Sequence, residues 1–119
     1  MEKIVIIPTF NEIENISSII SAVFALGQEY HVLVIDDSSP DGTANQVRSM
    51  MQNYPGQLFL EERKGKLGLG TAYIAGFRRA LAEGAQYIFE MDADFSHDPA
   101  YLPALLQAAE QRYDLVLGS

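Results

Sequence analysis

Short apolar runs rich in β-branched residues alternate along the chain with segments of helical periodicity. The runs at 3–7 (KIVII) and 32–35 (VLVI) are hydrophobic almost throughout, which is typical of strands buried on both faces of a parallel sheet. Further strands are predicted at 87–91 and 115–117, with a shorter one at 58–60. Because the strands alternate with helical segments, the pattern predicts an open, doubly wound, mostly parallel α/β sheet with helices on both faces.

Four helices are predicted from apolar stripes of helical spacing. We expect the first to begin at Asn11, since Glu14 three residues later completes a capping-box-like pair. Asp98 and Pro99 form an N-cap followed by proline, which predicts the start of the fourth helix. In chain order, the inward residues are Ile16, Ile19, Ile20, Val23 and Phe24; Ala44, Val47, Met50, Met51 and Tyr54; Ala72, Ile74, Phe77 and Leu81; and Tyr101, Leu102, Leu105, Leu106 and Ala109.

Composition adds limits to this picture. A chain of 119 residues suffices for one core rather than two domains. Eight basic residues against 16 acidic ones give a net charge of −8, which argues against a partner that is a nucleic acid. No apolar run approaches the ~18 residues of a membrane span, and residues 1–3 lead directly into a strand rather than a signal peptide, so we expect a cytoplasmic protein. The chain stops just after the strand at 115–117, so we expect it to be truncated at its C-terminus.

Acidic residues follow three of the predicted strands. Open α/β sheets bind ligands outside the carboxyl ends of their strands, so these residues are expected to share one edge. They are Glu12, Asp36, Asp37, Asp92 and Asp94.

Asp92 and Asp94 form the clearest candidate metal site. Two residues apart in an extended segment, they lie on one side and can share a hard cation. Magnesium or manganese held by one or two carboxylates completes its shell with water and substrate phosphate, which points to a diphosphate ligand. The alternative is that Asp94 caps a turn while Asp92 is solvated. His97 is a further candidate ligand or proton donor, although histidines in polar loops are more often structural.

The adjacent pair Asp36 and Asp37 has two interpretations. These carboxylates could bind a ribose hydroxyl or a base edge, as acidic residues at strand ends do in dinucleotide folds. Alternatively, one of them makes an Asx-turn or helps to cap a helix that begins at Thr43.

A basic, glycine-rich segment spans residues 63–71. Its backbone could approach a phosphate before a helix N-terminus, or the segment could be a solvated loop. It lacks the lysine and hydroxyl pair of a P-loop, and a dinucleotide-binding fingerprint would follow the first strand.

Taken together, four motifs resemble the family-2 inverting glycosyltransferases, most closely the dolichyl-phosphate (polyprenyl-phosphate) mannose synthases. They are PTFNE at 8–12, VIDDSSPDGT at 34–43, GKLGLGTAY at 65–73 and MDADFSH at 91–97. The resemblance implies a GT-A, Rossmann-like fold, with residues 1–119 as the nucleotide-sugar-binding part of a single glycosyltransferase domain.

The resemblance also implies the roles of individual residues. Asp92 and Asp94 would be the D-x-D pair that holds Mg²⁺ or Mn²⁺ against the diphosphate and would thereby serve catalysis. The residues expected around the donor nucleotide are Pro8, Phe10, Glu12, Ile35, Asp37, Lys66, Asp92, Ala93 and Asp94.

The implied reaction moves mannose from GDP-mannose onto a polyprenyl or dolichyl phosphate, with the enzyme peripheral at the cytosolic membrane face. The membrane surface is then a partner through the acceptor, and a missing C-terminal part could carry a membrane segment. An exposed sheet edge would favour a homodimer.

Three alternatives remain open at this point. One is a related enzyme that uses another nucleotide sugar such as UDP-glucose. Another is a Mg-dependent phosphotransferase or phosphatase, although in those folds the acidic pair usually follows the first strand. The third, for this chain alone, is a non-catalytic nucleotide-binding module.

Overall fold

A computed structural model describes residues 3–64 and 69–93. In that part of the chain, strands and helices alternate without interruption. The elements are β1 (Lys3–Thr9), α1 (Ile16–Phe24), β2 (Tyr30–Asp36), α2 (Thr43–Met51), β3 (Leu58–Glu62), α3 (Leu69–Ala82) and β4 (Tyr87–Glu90).

The four strands form one parallel sheet in the order β3-β2-β1-β4. In β1, Lys3 pairs with Tyr30 of β2 on one side and with Tyr87 of β4 on the other. The predicted doubly wound parallel α/β fold is confirmed for the described residues. The strand predicted at 115–117 and the helix predicted after Pro99 lie outside them.

Helices cover both faces of the sheet. Helices α1 and α2 pack on the face formed by Val5, Ile7, Val32 and Val34, while α3 packs on the opposite face. The opposite face is made by Ile4, Ile6, Leu33, Ile35 and Ile88. Alternate residues of each central strand therefore enter two different apolar layers, which explains why the strand sequences are apolar throughout.

Helix α1 begins at Ile16, so the predicted start at Asn11 is wrong. Asn11 has a φ of 57°, in the left-handed region, and its amide donates to Ser39 Oγ at 2.8 Å. Because that amide is already bonded to another loop, Asn11 and Glu14 do not form a capping box. The backbone turns instead at Glu12, whose carbonyl accepts from the amides of Asn15 and Ile16.

The predicted inward stripe of α3 is wrong at two positions. Ile74 and Leu81 are 52% and 65% exposed. The buried face of α3 carries small residues, and a Cβ atom added at Gly76 would lie 2.6 Å from Ile6 Cγ2. The helix comes so close to β1 that large side chains do not fit between them. The buried face of α3 therefore consists of Ala72, Gly76 and Ala80.

Among the described helices, none has the length and apolar character needed to cross a bilayer.

Candidate active site

The chain connections reverse direction between β1 and β4, the point where open α/β sheets bind ligands. Helices α1 and α2 cross one face, whereas α3 crosses the other to bring the chain from β3 to β4. Phe10 and Glu12 follow β1, and Asp92 follows β4. The sheet therefore places residues from two predicted motifs on either side of one crevice.

Asp36 lies fully buried at the end of β2. Its Oδ1 accepts from Thr9 Oγ1 and from Ser39 Oγ, both at 2.6 Å, and its Oδ2 accepts from the amide of Ser39 at 3.0 Å. Of the two interpretations of the Asp36–Asp37 pair, Asp36 fits the turn-forming one. It ties the end of β1 to the turn after β2.

Asp37 is buried and forms a two-pronged ion pair with Arg63, the residue that follows β3. Arg63 Nε donates to Oδ1 at 2.6 Å and Nη2 donates to Oδ2 at 2.8 Å. A third nitrogen, Nη1, donates to Thr71 Oγ1 at 3.0 Å. One cation of the basic segment 63–71 is thus engaged with Asp37, and it links β2, β3 and the first turn of α3.

Three consecutive amides, those of residues 11–13, donate to side chains of the segment 39–43. These bonds run from Asn11 N to Ser39 Oγ at 2.8 Å, from Glu12 N to Thr43 Oγ1 at 3.0 Å and from Ile13 N to Asp41 Oδ2 at 3.1 Å. The path of the backbone around Glu12 is therefore set by a loop that is about 30 residues distant in sequence.

Asp41 connects this loop to α2. Its Oδ1 accepts from the amide of Thr43 at 3.0 Å and from Thr43 Oγ1 at 2.5 Å. Burial, the largest single influence, raises the pKa of Asp41, but the hydrogen bonds from Thr43 and Ile13 together outweigh it and bring the pKa below its usual range. The capping role that the sequence offered to Asp36 or Asp37 therefore belongs to Asp41.

Asp92 is half-buried at the end of β4 and faces helix α3. Tyr73 Oη donates to Asp92 Oδ1 at 2.7 Å. Two residues earlier, burial and then the negative charge of Asp92 raise the pKa of Glu90. Negative charge is therefore concentrated at this end of β4.

The character of this carboxylate suits a hard divalent cation, because Mg²⁺ and Mn²⁺ prefer oxygen ligands and need few of them from protein when phosphate supplies the rest. Within residues 3–64 and 69–93, no group of three or more His, Cys, Asp or Glu side chains is placed to hold a metal ion. Asp94 and His97, the other candidate ligands, lie outside the described residues. The chemistry of Asp92 fits a cation whose remaining ligands come from a bound diphosphate.

The other residues predicted to surround the nucleotide lie at the same edge. Pro8 and Ile35 are buried and paired in register on β1 and β2, and Ala93 is buried beside Asp92. Phe10 and Glu12 are partly exposed at the end of β1. Lys66 lies outside the described residues. The structure thus brings together Pro8, Phe10, Glu12, Ile35, Asp37, Asp92 and Ala93.

Sequence reasoning missed two contacts that organise this edge. Tyr73 is not part of the apolar stripe predicted for α3. In the sequence, its hydroxyl alone sets it apart from an aromatic residue of the core. The charge of Arg63 within the basic segment suggests phosphate binding, whereas its partner Asp37 is 26 residues away in sequence. The clustering of serine, threonine and aspartate in segment 38–43 was the one visible signal for the bonds to residues 11–13.

The fold and its acidic edge are those of an open parallel α/β sheet with carboxylates at its switch point, and the comparison with family models identifies the family. Residues 4–119 match the model described as Glycosyl transferase family 2. The chain belongs to that family, which favours glycosyl transfer over the phosphotransferase alternative.

Curated relatives give a narrower similarity. The chain is 43% identical over 116 residues to polyprenol monophosphomannose synthase of Mycolicibacterium smegmatis, covering 98% of this chain and 44% of the relative. It is 45% identical over 119 residues to undecaprenyl-phosphate mannosyltransferase of Micrococcus luteus, covering 100% of this chain and 48% of the relative. Against dolichol-phosphate mannosyltransferase of Pyrococcus furiosus, the identity is 36%, with 100% and 33% covered. The chain therefore spans less than half the length of these relatives.

Solved structures support the fold. The mannosyltransferase PcManGT from Pyrobaculum calidifontis, in complex with GDP-Man and Mn²⁺, matches with a TM-score of 0.61 and 29% identity, covering 66% of this chain and 24% of the other. Residues 1–349 of S. aureus TarS match with a TM-score of 0.73 and 21% identity, covering 95% and 33%. At that identity, the second match bears on the fold alone.

Proposed function

We propose that this chain is the nucleotide-sugar-binding part of a polyprenyl-phosphate mannosyltransferase that uses GDP-mannose. The observation that carries the proposal is the meeting of the β1 and β2 ends with Asp92 at the switch point of the sheet. The similarity to three mannosyltransferases that are named for lipid-phosphate acceptors supports the choice of substrates.

In this proposal, the nucleoside lies against the ends of β1 and β2. Phe10 offers an aromatic surface for the base, Glu12 and Asp37 offer acceptors to its N–H groups or to ribose hydroxyls, and Pro8 and Ile35 form the buried floor. The hydrogen bonds that the backbone amides of residues 11–13 donate to segment 39–43 hold Glu12 in position before any ligand binds. Arg63 does the same for Asp37.

The diphosphate lies toward Asp92. Asp92 and Asp94 would hold Mg²⁺ or Mn²⁺, and Lys66 would lie near the phosphates. When bound, the cation supplies positive charge that stabilises the GDP leaving group. The mannosyltransferase similar to this chain that was solved with GDP-Man and Mn²⁺ supports this cofactor class.

The acceptor is proposed to attack from the face opposite the diphosphate. A phosphate oxygen of the polyprenyl phosphate forms a bond to C1 of mannose, while the bond from C1 to the diphosphate breaks and GDP leaves with the electron pair. The configuration at C1 inverts. A phosphate monoester is largely ionised at neutral pH, so the attack needs no general base from the chain.

A lipid acceptor implies a place at the membrane surface. We propose that the whole protein works as a peripheral enzyme on the cytosolic face, where both the nucleotide sugar and the lipid phosphate are within reach.

Calorimetric titration of the full-length protein with GDP, GDP-mannose, UDP and UDP-glucose tests the donor assignment. Each ligand is measured with Mn²⁺ and with chelator, in the wild type and in Asp92→Asn. The proposal expects guanosine-selective binding that is strengthened by Mn²⁺ and weakened by at least about tenfold in the variant. Selective binding of UDP ligands would overturn the assignment of GDP-mannose as the donor. Binding that changes neither with metal nor with Asp92→Asn would overturn the proposed metal site.

Transfer is tested separately with GDP-mannose and polyprenyl phosphate in detergent. Formation of a mannosylated lipid phosphate of inverted configuration is expected. Hydrolysis of GDP-mannose without transfer to the lipid would contradict the assigned acceptor.

A further inference from the structure

Tyr73 connects α3 to Asp92 through a hydrogen bond of 2.7 Å, which its Oη donates to Oδ1. Its ring packs on the apolar layer between α3 and the sheet. This packing limits the positions that the partly buried ring, and with it the hydroxyl, can take.

The segments that carry the two partners of the bond both contact the same residue, Ile6. One helical turn after Tyr73, Gly76 lets α3 approach Ile6 so closely that no Cβ fits between them. On the other side, Ile6 pairs in register with Glu90, and its carbonyl accepts from the amide of Met91 at 3.0 Å, directly before Asp92. The spacing between Tyr73 and Asp92 is therefore constrained by the Ile6 side chain against α3 on one side and by the backbone hydrogen bond from Met91 to Ile6 on the other.

The first turn of α3 also reaches the nucleoside side of the crevice. Thr71, two residues before Tyr73, accepts from Arg63, which holds Asp37. One helical turn thus contacts the carboxylate after β4 directly and the carboxylate after β2 through a single arginine.

We propose that Tyr73 is a positioning residue for Asp92: its hydroxyl fixes the rotation of the carboxylate and so presents it to a divalent cation on a bound diphosphate. This inference rests on the proposed function, since it assigns Asp92 to that cation. Hydrogen bonds to metal-ligating carboxylates orient them, and losing such a bond typically weakens metal binding 10- to 100-fold.

The test compares Tyr73→Phe with wild type in the full-length protein. The variant keeps the ring and removes only the hydroxyl. The affinity for Mn²⁺ is measured with GDP present, from the electron paramagnetic resonance signal of free Mn²⁺, and the affinity for GDP is measured with chelator. We expect Mn²⁺ affinity to fall by about tenfold while GDP affinity without metal changes less than about twofold.

Tyr54→Phe is the matched control. Tyr54 stacks on Phe24 in the layer of α1 and α2, on the opposite face of the sheet, with ring centroids 4.3 Å apart. The same loss of a hydroxyl there is expected to leave both affinities unchanged.

The outcomes separate the inference from the proposed function. If the wild type binds Mn²⁺ with GDP and Tyr73→Phe binds it equally well, the positioning role is overturned and the proposed function stands. If the wild type binds GDP but no Mn²⁺, both the metal site and the role of Tyr73 are overturned. Should the variant be less stable, a purely structural role predicts equal losses in the two affinities, and that result also overturns the inference.

Discussion

Gly76 lies against Ile6 so closely that a Cβ atom on the glycine would stand 2.6 Å from Cγ2 of the isoleucine. Gly76→Ala is therefore expected to push α3 away from β1 and to destabilise the protein by about 1–3 kcal/mol, as overpacking does. Chemical denaturation measures the change. Because Tyr73 lies one turn away, the displacement should also weaken Mn²⁺ binding in the presence of GDP.

Gly70→Ala provides the control within the same helix. Among the residues that the structure describes, none has an atom within 4 Å of a Cβ at that position. Alanine is favoured over glycine in helices by about 0.5–1 kcal/mol, so this variant should be slightly more stable than wild type. Equal effects of the two substitutions would contradict the close approach at Gly76.

Arg63→Gln is expected to destabilise the protein by about 3 kcal/mol, since it leaves the buried carboxylate of Asp37 without its ion-pair partner. The double variant Arg63→Gln/Asp37→Asn removes the uncompensated charge and should recover part of the loss. Denaturation of the single and double variants gives the coupling between the two residues.

Arg48→Gln is the comparison for that prediction. Arg48 pairs with Glu62 at a surface where both side chains are about half exposed, and exposed pairs contribute at most about 1 kcal/mol. If Arg63→Gln lowers the free energy of unfolding no more than Arg48→Gln does, the ion pair of Arg63 with Asp37 contributes no more than an exposed pair.

Asp41→Ala is expected to lower stability at pH 7 by about 1 kcal/mol, because the amides of Thr43 and Ile13 lose their acceptor. The folded pKa of Asp41 is lowered, so its contribution is present above the usual aspartate pKa of about 3.9 and is lost as the pH falls through the folded value. The melting temperatures of wild type and variant should begin to converge below about pH 4 and approach each other further as the pH falls through the folded pKa.

The same variant bears on ligand binding. With Ile13 released, Glu12 is less firmly placed, and GDP affinity should fall at neutral pH. Glu14→Gln removes a negative charge from an exposed residue of the same loop and should change neither property. A stability difference for Asp41→Ala that is constant from pH 3 to pH 7 would show that the carboxylate charge plays no part.

Thr9→Val is expected to cost about 1–3 kcal/mol, the penalty for taking a hydrogen bond from a fully buried carboxylate. Valine has nearly the same shape as threonine, so the loss reports on the bond to Asp36 rather than on packing. Ser49→Ala removes a hydroxyl from an exposed turn of α2 and should be close to neutral in the same denaturation assay. A neutral Thr9→Val would mean that Ser39 alone satisfies Asp36.

The sequence indicated the sheet and its acidic edge because both depend on short-range patterns. Runs such as KIVII are buried on both faces, and the residues after them fall at one edge wherever strands are parallel. The start of α1 and the inward face of α3 could not be read in the same way. Asn11 is held by Ser39, and α3 is rotated by the steric limit at Ile6, and neither partner is close in sequence.

Separation in sequence also explains why the candidate site residues could be predicted while the residues that hold them in place could not. Asp37 and Asp92 could be named because carboxylates after strands have chemical meaning on their own. Arg63 and Tyr73 acquire their roles only from a partner 26 and 19 residues away, and no periodicity reveals such a pair.

The pairing of β1 with β4 has a consequence for how the protein folds. Strand β1 meets β2 after one helix, but it meets β4 only after the chain has passed through two further helices and a strand, from residue 3 to residue 87. Long loops close slowly, so β4 is expected to join a sheet that β1, β2 and β3 have already begun. Hydrogen exchange should then find the amides of β4 less protected than those of β1, and GDP with Mn²⁺ should slow their exchange more than any others. The crevice between β1 and β4 would be the last part of the described fold to close and the first to open.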